Sequence, residues 1–357
     1  MQTTWNTPVD AVLGAPPRLV GRRAFLSIDD GHLTAFDLES GESVWSVESR
    51  PTSVPAASTD LLFLAEADAI SARRQDDGQE VWRLPFSEPL ATPLVWDNGW
   101  LIAAGESSLV ALRAADGTLL WQHTLPAHIN APPALAGDRV YAPLADGRVV
   151  ALEVATGKER WARRLGGAVN DMLALDDRLF VGSDDNYFYS LNTANGSINW
   201  RWRTGGDVIG VPIVDEHRVY FVSKDNLLRA LDRNSGSQRW KRELPGRPTR
   251  SPVRAGDVVL VSGLAPKVTA YALKDGTPAG EVTSPGELAA SPFLMQQRGL
   301  PQVVIVSRDV TAGTRMIAFR RNVEPLLAPS VGLLPNPIPQ PRPLPAAEPA
   351  STQTTTP

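Results

Sequence analysis

Residues 139–165, RVYAPLADGRVVALEVATGKERWARRL, contain the folding unit of the whole chain. RVYAPLA (139–145) and RVVALEV (148–154) are rich in β-branched and aromatic residues, and Asp146-Gly147 between them supplies the positive φ angles of a tight hairpin turn. A second turn at Gly157 leads into KERWARRL (158–165), and a further short strand falls near Pro132 to Ala136. That makes four short antiparallel strands in about forty residues. No segment carries the 3.6-residue periodicity of a helix.

Outward from this unit the pattern recurs. Trp5, Trp45, Trp82, Trp121, Trp161, Trp200 and Trp240 are spaced by 40, 37, 39, 40, 39 and 40 residues. Four residues before the last six stand Gly41, Gly78, Gly117, Gly157, Gly196 and Gly236, and Gly276 continues the series although position 280 is glycine where tryptophan is expected. Ten residues before each phase comes a small side chain (Ala35, Ala72, Ala111, Ala151, Ser190, Ala230, Ala270), followed by a bulky one except at Arg73. Small and large residues in fixed phase belong to opposite faces of a packed strand. Further turn pairs occur at Asp30-Gly31, Asp185-Asn186 and Asp225-Asn226.

Sheets of four strands repeating at this length predict an all-β, eight-bladed β-propeller. A weaker copy of the unit, ending in Ala318-Phe319, stops short of its tryptophan strand. Trp5 has no strands before it, and lies as far ahead of Pro16-Pro17 as Trp121 lies ahead of Pro132-Pro133. The N-terminal strand is therefore expected to complete the last blade and close the ring.

The ring is expected to occupy residues 1–321, as one monomeric body. Residues 322–357 carry ten prolines in 36 positions and read as an extended, disordered tail with polyproline II stretches, open to a proline-recognising partner. Formal net charge is −4 with no basic block, which argues against nucleic acid, and no run of 18 apolar residues exists to form a spanning helix. The absence of cysteine excludes disulfides, thiolate nucleophiles and iron–sulfur clusters. The first twenty residues show neither a basic start nor an apolar run, so no secretory signal is expected within this stretch.

The motif Ala-x-Asp…Gly-x-x-x-Trp, as in Ala35-Phe36-Asp37…Gly41…Trp45 and Ala230-Leu231-Asp232…Gly236…Trp240, resembles the pyrroloquinoline-quinone-type propeller repeat over residues 1–321. The resemblance implies that the seven phased tryptophans and their glycines dock each blade on its neighbour. Two kinds of protein share the repeat: quinone-dependent dehydrogenases and non-catalytic scaffolds of the BamB type. The dehydrogenases are longer and commonly carry a cysteine pair beside the cofactor, so the likeness points to a non-enzymatic scaffold of the bacterial cell envelope, on the periplasmic side. Its implied partner is a protein, a component of outer-membrane assembly in the BamB-type scaffolds, met through the loops between a tryptophan strand and the next blade. Here those loops include residues 165–171, 204–209, 244–250 and 283–289. The lipid-carrying cysteine of such scaffolds is not in this sequence. The alternatives are a quinone-dependent enzyme and a small-molecule sensor binding on the ring axis.

No catalytic, cofactor or metal residues are expected. His32, His123, His128 and His217 lie at no metal-ligand spacing, and Asp29-Asp30 and Asp184-Asp185 sit where turns favour aspartate. Trp96, Trp100 and Trp202 are out of phase. Tryptophan and arginine are enriched at interface hot spots, which makes Trp202 with Arg203, and Arg247 with Arg250 in a proline-bounded loop, the candidate partner-binding residues.

Overall fold

The computed structural model describes residues 2–9, 12–86, 88–297, 300–309 and 313–320. Its strands form eight antiparallel sheets, the blades of a β-propeller. Blades 1 to 7 span residues 18–48, 56–85, 95–124, 134–164, 169–203, 208–243 and 253–283, each with its four strands in chain order. Blade 8 takes residues 287–320 and, as its outermost strand, Gln2–Val9. Among the first strands of the blades, those of 4 and 5, 5 and 6, 2 and 3, and 7 and 8 approach one another, so these strands form the hub and the tryptophan strands the rim. The proline-rich segment 322–357 lies outside the described residues.

Local chemistry explains each hairpin. Gly147 (φ 87°), Asn186 (φ 61°) and Asn226 (φ 63°) take the left-handed conformation that the second-to-third strand turn demands. Asp185 and Asp225 accept the amides of Tyr187 and Leu227, closing Asx turns. At the rim the repeat's aspartate does the same work, Asp232 accepting the amides of Asn234 and Ser235. Hydrogen bonds from Arg239 and these groups hold its carboxyl far below the usual carboxylate range.

The small residue of the repeat has a specific task. In blade 1 the register aligns Phe25, Ala35 and Trp45 on three successive strands, and blade 4 aligns Tyr141, Ala151 and Trp161. Alanine between two aromatics lets the rings close over it: Phe25–Trp45, Phe63–Trp82, Tyr141–Trp161 and Tyr220–Trp240 have centroids 5.7 to 6.2 Å apart. Blade 8 reproduces the row from both chain ends, with Val304 opposite Ala318 and Ala318 opposite Trp5.

Every phased indole reaches the next blade. Trp5, Trp45, Trp82, Trp121, Trp161, Trp200 and Trp240 donate Nε1–H to the carbonyls of Leu38, Gln75, Ala114, Val154, Thr193, Arg233 and Leu273 at 2.7 to 3.2 Å. The same indoles lie flat over Gly41, Gly78, Gly117, Gly157, Gly196, Gly236 and Gly276. At Gly196 a β-carbon would stand 2.6 Å from the Trp161 ring, and φ is +70° there, so both the space and the backbone require glycine.

Eight junctions thus share seven tryptophan–glycine pairs, and the exception is the step from blade 7 to blade 8. Gly280 faces Ala270 at the tryptophan register. On blade 8 the third and fourth strands are Gly313–Arg320 and Gln2–Val9, one from each end of the chain, so no turn glycine exists to receive an indole. This junction is held by an apolar cluster around Leu260, Leu288 and Ile305, by the buried Ser284–Ser307 hydrogen bond at 2.9 Å, and by Arg250.

Candidate functional site

The crossovers from rim strand to next hub strand all emerge on one face. Over blades 4 to 6 this face holds a cleft of about 440 Å³, walled by Asn130 to Pro132, Asn170, Asp171, Asp184, Asp207 to Gly210 and Lys224. The hub strands beneath it, Val169–Leu175 and Val208–Val214, are the longest hub strands of blades 1 to 7 and pack on each other. They begin earlier than the sequence suggests, so Asp171 and Ile209 belong to rigid strand, not to the loops 165–171 and 204–209.

The walls are braced by their own polar groups. Asn130 Nδ2 donates to the Val169 carbonyl at 2.9 Å and to Asn170 Oδ1 at 3.1 Å, and Asn170 Nδ2 donates to Asp184 Oδ1 at 2.7 Å. Lys224 Nζ and Asp207 Oδ2 form an ion pair at 2.7 Å. Gly210 has φ +69° and sits so close against Ser251 that a side chain would collide with it. Two turn aspartates fix the crossovers, Asp185 accepting the Gly166 amide at 3.0 Å and Asp225 the Gly205 amide at 2.9 Å. Burial pushes the Asp225 carboxyl up, but hydrogen bonds from Arg229, Ser223 and Gly205 outweigh it and leave the pKa at about 2.

Asp171 is different. Burial raises its pKa and the Gly210 amide offsets only part of the rise, and it forms no ion pair among the described residues. A half-buried carboxylate in this state gains from any donor brought into the cleft. The chemistry on offer is hydrogen bonding to a polar or cationic group held against stiff strands.

The sequence-predicted partner residues lie elsewhere. Trp202 and Arg203 are on the rim strand of blade 5, opposite Phe188 and Tyr187. Trp202 is half-buried against the cluster of Phe180, Phe188 and Phe221, while Arg203 is exposed. Arg247 is exposed in the crossover from blade 6 to blade 7. Arg250, in the same crossover, is committed to the Leu288 carbonyl of blade 8, and burial lowers its pKa. None of the four lines the cleft.

Trp96 and Trp100 pack against the clusters beside blade 3. His32 and Asp30 pair at 3.1 Å at one hairpin turn, and His128, in the crossover from blade 3 to blade 4, pairs at 3.3 Å with Glu106 in a hairpin turn of blade 3. A larger cleft of about 620 Å³ opens on the other face, between blades 6 and 7. Its Arg218 and Tyr220 are spent on blade docking, both donating to the Leu273 carbonyl.

Asn130 and Lys224 lie outside every loop that the sequence reading named, whereas Asn170, Asp171 and Asp207 fall within 165–171 and 204–209 without having been singled out. A signal existed. Aligned on the residue facing the second-strand core position, Asp171 falls at the phase of Pro16, Pro93 and Pro132.

The family model for outer membrane protein assembly factor BamB matches residues 2–72, 65–174 and 162–321. The BamB of Burkholderia pseudomallei is 25% identical over 246 residues, covering 62% of this chain and 64% of that protein. The BamB of Bordetella pertussis is 22% identical over 332 residues, covering 84% and 83%. The crystal structure of BamB from Moraxella catarrhalis superposes with a TM-score of 0.71 at 15% identity, over 89% of this chain and 99% of that one, and so agrees in fold. With the repeat, the eight blades and a family match that runs the length of the ring, the chain belongs to the outer membrane protein assembly factor BamB family.

Proposed function

We propose that this ring is a non-catalytic docking scaffold of outer-membrane protein assembly, on the periplasmic side of the envelope, receiving a protein partner on the crossover face over blades 4 to 6. The observation that carries the reading is the braced cleft, in which burial raises the Asp171 pKa and the Gly210 amide offsets only part of the rise. A site whose walls are already fixed loses little entropy when a partner arrives. Arg203 and Arg247, exposed on the neighbouring rim and crossover, would then meet the partner's outer parts, with the open side of Trp202. The quinone-dependent alternative has the repeat and a likeness of fold behind it and the sensor alternative the repeat, whereas the family match supports the assembly role.

Calorimetric titration of the full chain with the periplasmic part of a barrel-insertion protein from the same genome tests this. Asp171→Lys and Lys224→Glu are each expected to weaken binding at least tenfold, in the range of a central interface contact, and Trp202→Ala, Arg203→Ala or Arg247→Ala by a few fold. Arg160→Glu, on the rim of blade 4, should leave it unchanged. Folded cleft variants that bind like the wild type would move the docking site elsewhere.

A further inference from the structure

One hub strand departs from a pattern that the other seven keep. At the register facing the second-strand core residue, blades 2 to 8 carry Ala56, Val95, Ala134, Leu173, Ile213, Val253 and Phe293. Blade 1 carries Arg18, opposite Phe25. Arg18 is half-buried, its Nε is sealed from solvent, and that atom has no hydrogen-bond partner.

Sealed guanidinium nitrogens occur elsewhere, but those arginines are held by another atom. Arg73 bonds to the Gly78 carbonyl and Glu80, Arg139 to the Thr193 carbonyl, and Arg178 to Asn234, while Arg320 also has a partner. Arg18 forms no ion pair with any described residue, and desolvation is the one influence on its charge. A guanidinium cannot shed its proton to escape that cost, so a half-buried one without a partner charge is stabilised when an anion arrives. Loss of charge by titration is not open to it. An apolar residue would serve the blade better, as it does seven times over.

We propose that Arg18 is the receiving group of an anion subsite at the hub of blade 1, one that takes a carboxylate of a ligand or of an inserted peptide segment. The flat fork of the guanidinium matches the two oxygens of a carboxylate. A single uncompensated positive charge suits a monoanion better than a phosphate, which carries more charge than one arginine neutralises. This subsite is on blade 1, away from the cleft over blades 4 to 6, and does not depend on the docking role proposed for that cleft.

Thermal unfolding of the full chain in sodium acetate, against sodium chloride at matched ionic strength and neutral pH, is the test. Arg18→Met and Arg18→Lys are run alongside, with inorganic phosphate as a third salt. The wild type should show a saturable rise in Tm of about 2 °C when acetate is at tenfold its Kd, by mass action on the folded ring. Arg18→Met should lose that rise, yet be at least as stable as the wild type in chloride, because methionine restores the apolar register. Arg18→Lys should keep the charge and less than half of the rise.

Equal acetate effects on wild type and Arg18→Met would mean general salt exclusion and sink the proposal. So would an Arg18→Met protein that is less stable than wild type in chloride, since Arg18 would then be part of the packing. A larger response to phosphate than to acetate would overturn the carboxylate assignment. If Arg18→Met does not fold, an Arg18→Lys protein that responds to acetate as fully as the wild type would overturn it as well.

Discussion

The junction between blades 4 and 5 and the junction between blades 7 and 8 solve one problem in different ways. At the first, the Trp161 ring covers Gly196, its Nε1–H meets the Thr193 carbonyl at 3.0 Å, and Arg139 and Tyr141 donate to the same oxygen. Arg163 adds a bond to the Gly196 carbonyl at 2.7 Å. At the second there is no indole and no turn glycine, and aliphatic side chains with the Ser284–Ser307 pair fill the gap. The difference teaches what the tryptophan is for. It is a plug for the rim turn of the following blade, and where that turn is replaced by the meeting of the chain's two ends, the plug is lost with it.

If the rim of blade 8 is the closure, removing it should have the largest effect of all. Deleting residues 2–9 takes away the whole Gln2–Val9 strand together with Trp5, and leaves the edge of Gly313–Arg320 unpaired. The deleted protein should unfold at much lower urea, or elute as oligomers paired through that edge. A monomer of wild-type stability would break the comparison. Next in size is Trp161→Ala, which removes a large packed side chain and a hydrogen bond and should cost about 3–5 kcal/mol in urea unfolding. A loss below about 1 kcal/mol would show that the indole is not what joins blades 4 and 5.

The same comparison shows what could be read in advance. Blade number, closure by Trp5 and the phase of each glycine were legible because indoles at steps of 37 to 40 residues can only belong to repeated units. The vacancy at Gly280 was legible too, but not its reason, since the receiving turn belongs to the next blade and only the ring brings the two together. The cleft was half legible. Its loops were named, whereas Asn130 and Asn170 meet only because adjacent hub strands lie side by side. Arg250 looked available in the sequence and is bound to the Leu288 carbonyl, a contact between residues 38 apart that no local pattern encodes.

A third prediction concerns the tie that holds a regular crossover. Asp225 ties the crossover into blade 6 through the Gly205 amide and is itself paired with the buried Arg229 at 2.5 Å. The folded pKa of Asp225, about 2, is below its unfolded value, so its stabilisation is complete above about pH 4 and is lost as pH falls toward 2. Wild-type stability should therefore drop by about 2 kcal/mol more than that of Asp225→Asn across this window in urea titrations. Parallel curves for the two proteins would show that the tie carries no stability.

The smallest effect is expected at the vacancy itself. Gly280 has φ +137°, a conformation costly for any side chain, and a β-carbon there would meet nothing within 4 Å. Restoring the repeat with Gly280→Trp therefore offers the indole neither a glycine to cover nor a turn carbonyl to bond. Backbone strain would oppose whatever apolar area the ring covers, and the two are of similar size, about 1–3 kcal/mol each. The variant should melt within a few degrees of the wild type, and should not be more stable. A clear stabilisation, measured as a higher urea midpoint at unchanged slope, would mean that blade 8 already presents a receiving surface. The loss of the tryptophan would then need a cause other than the missing turn.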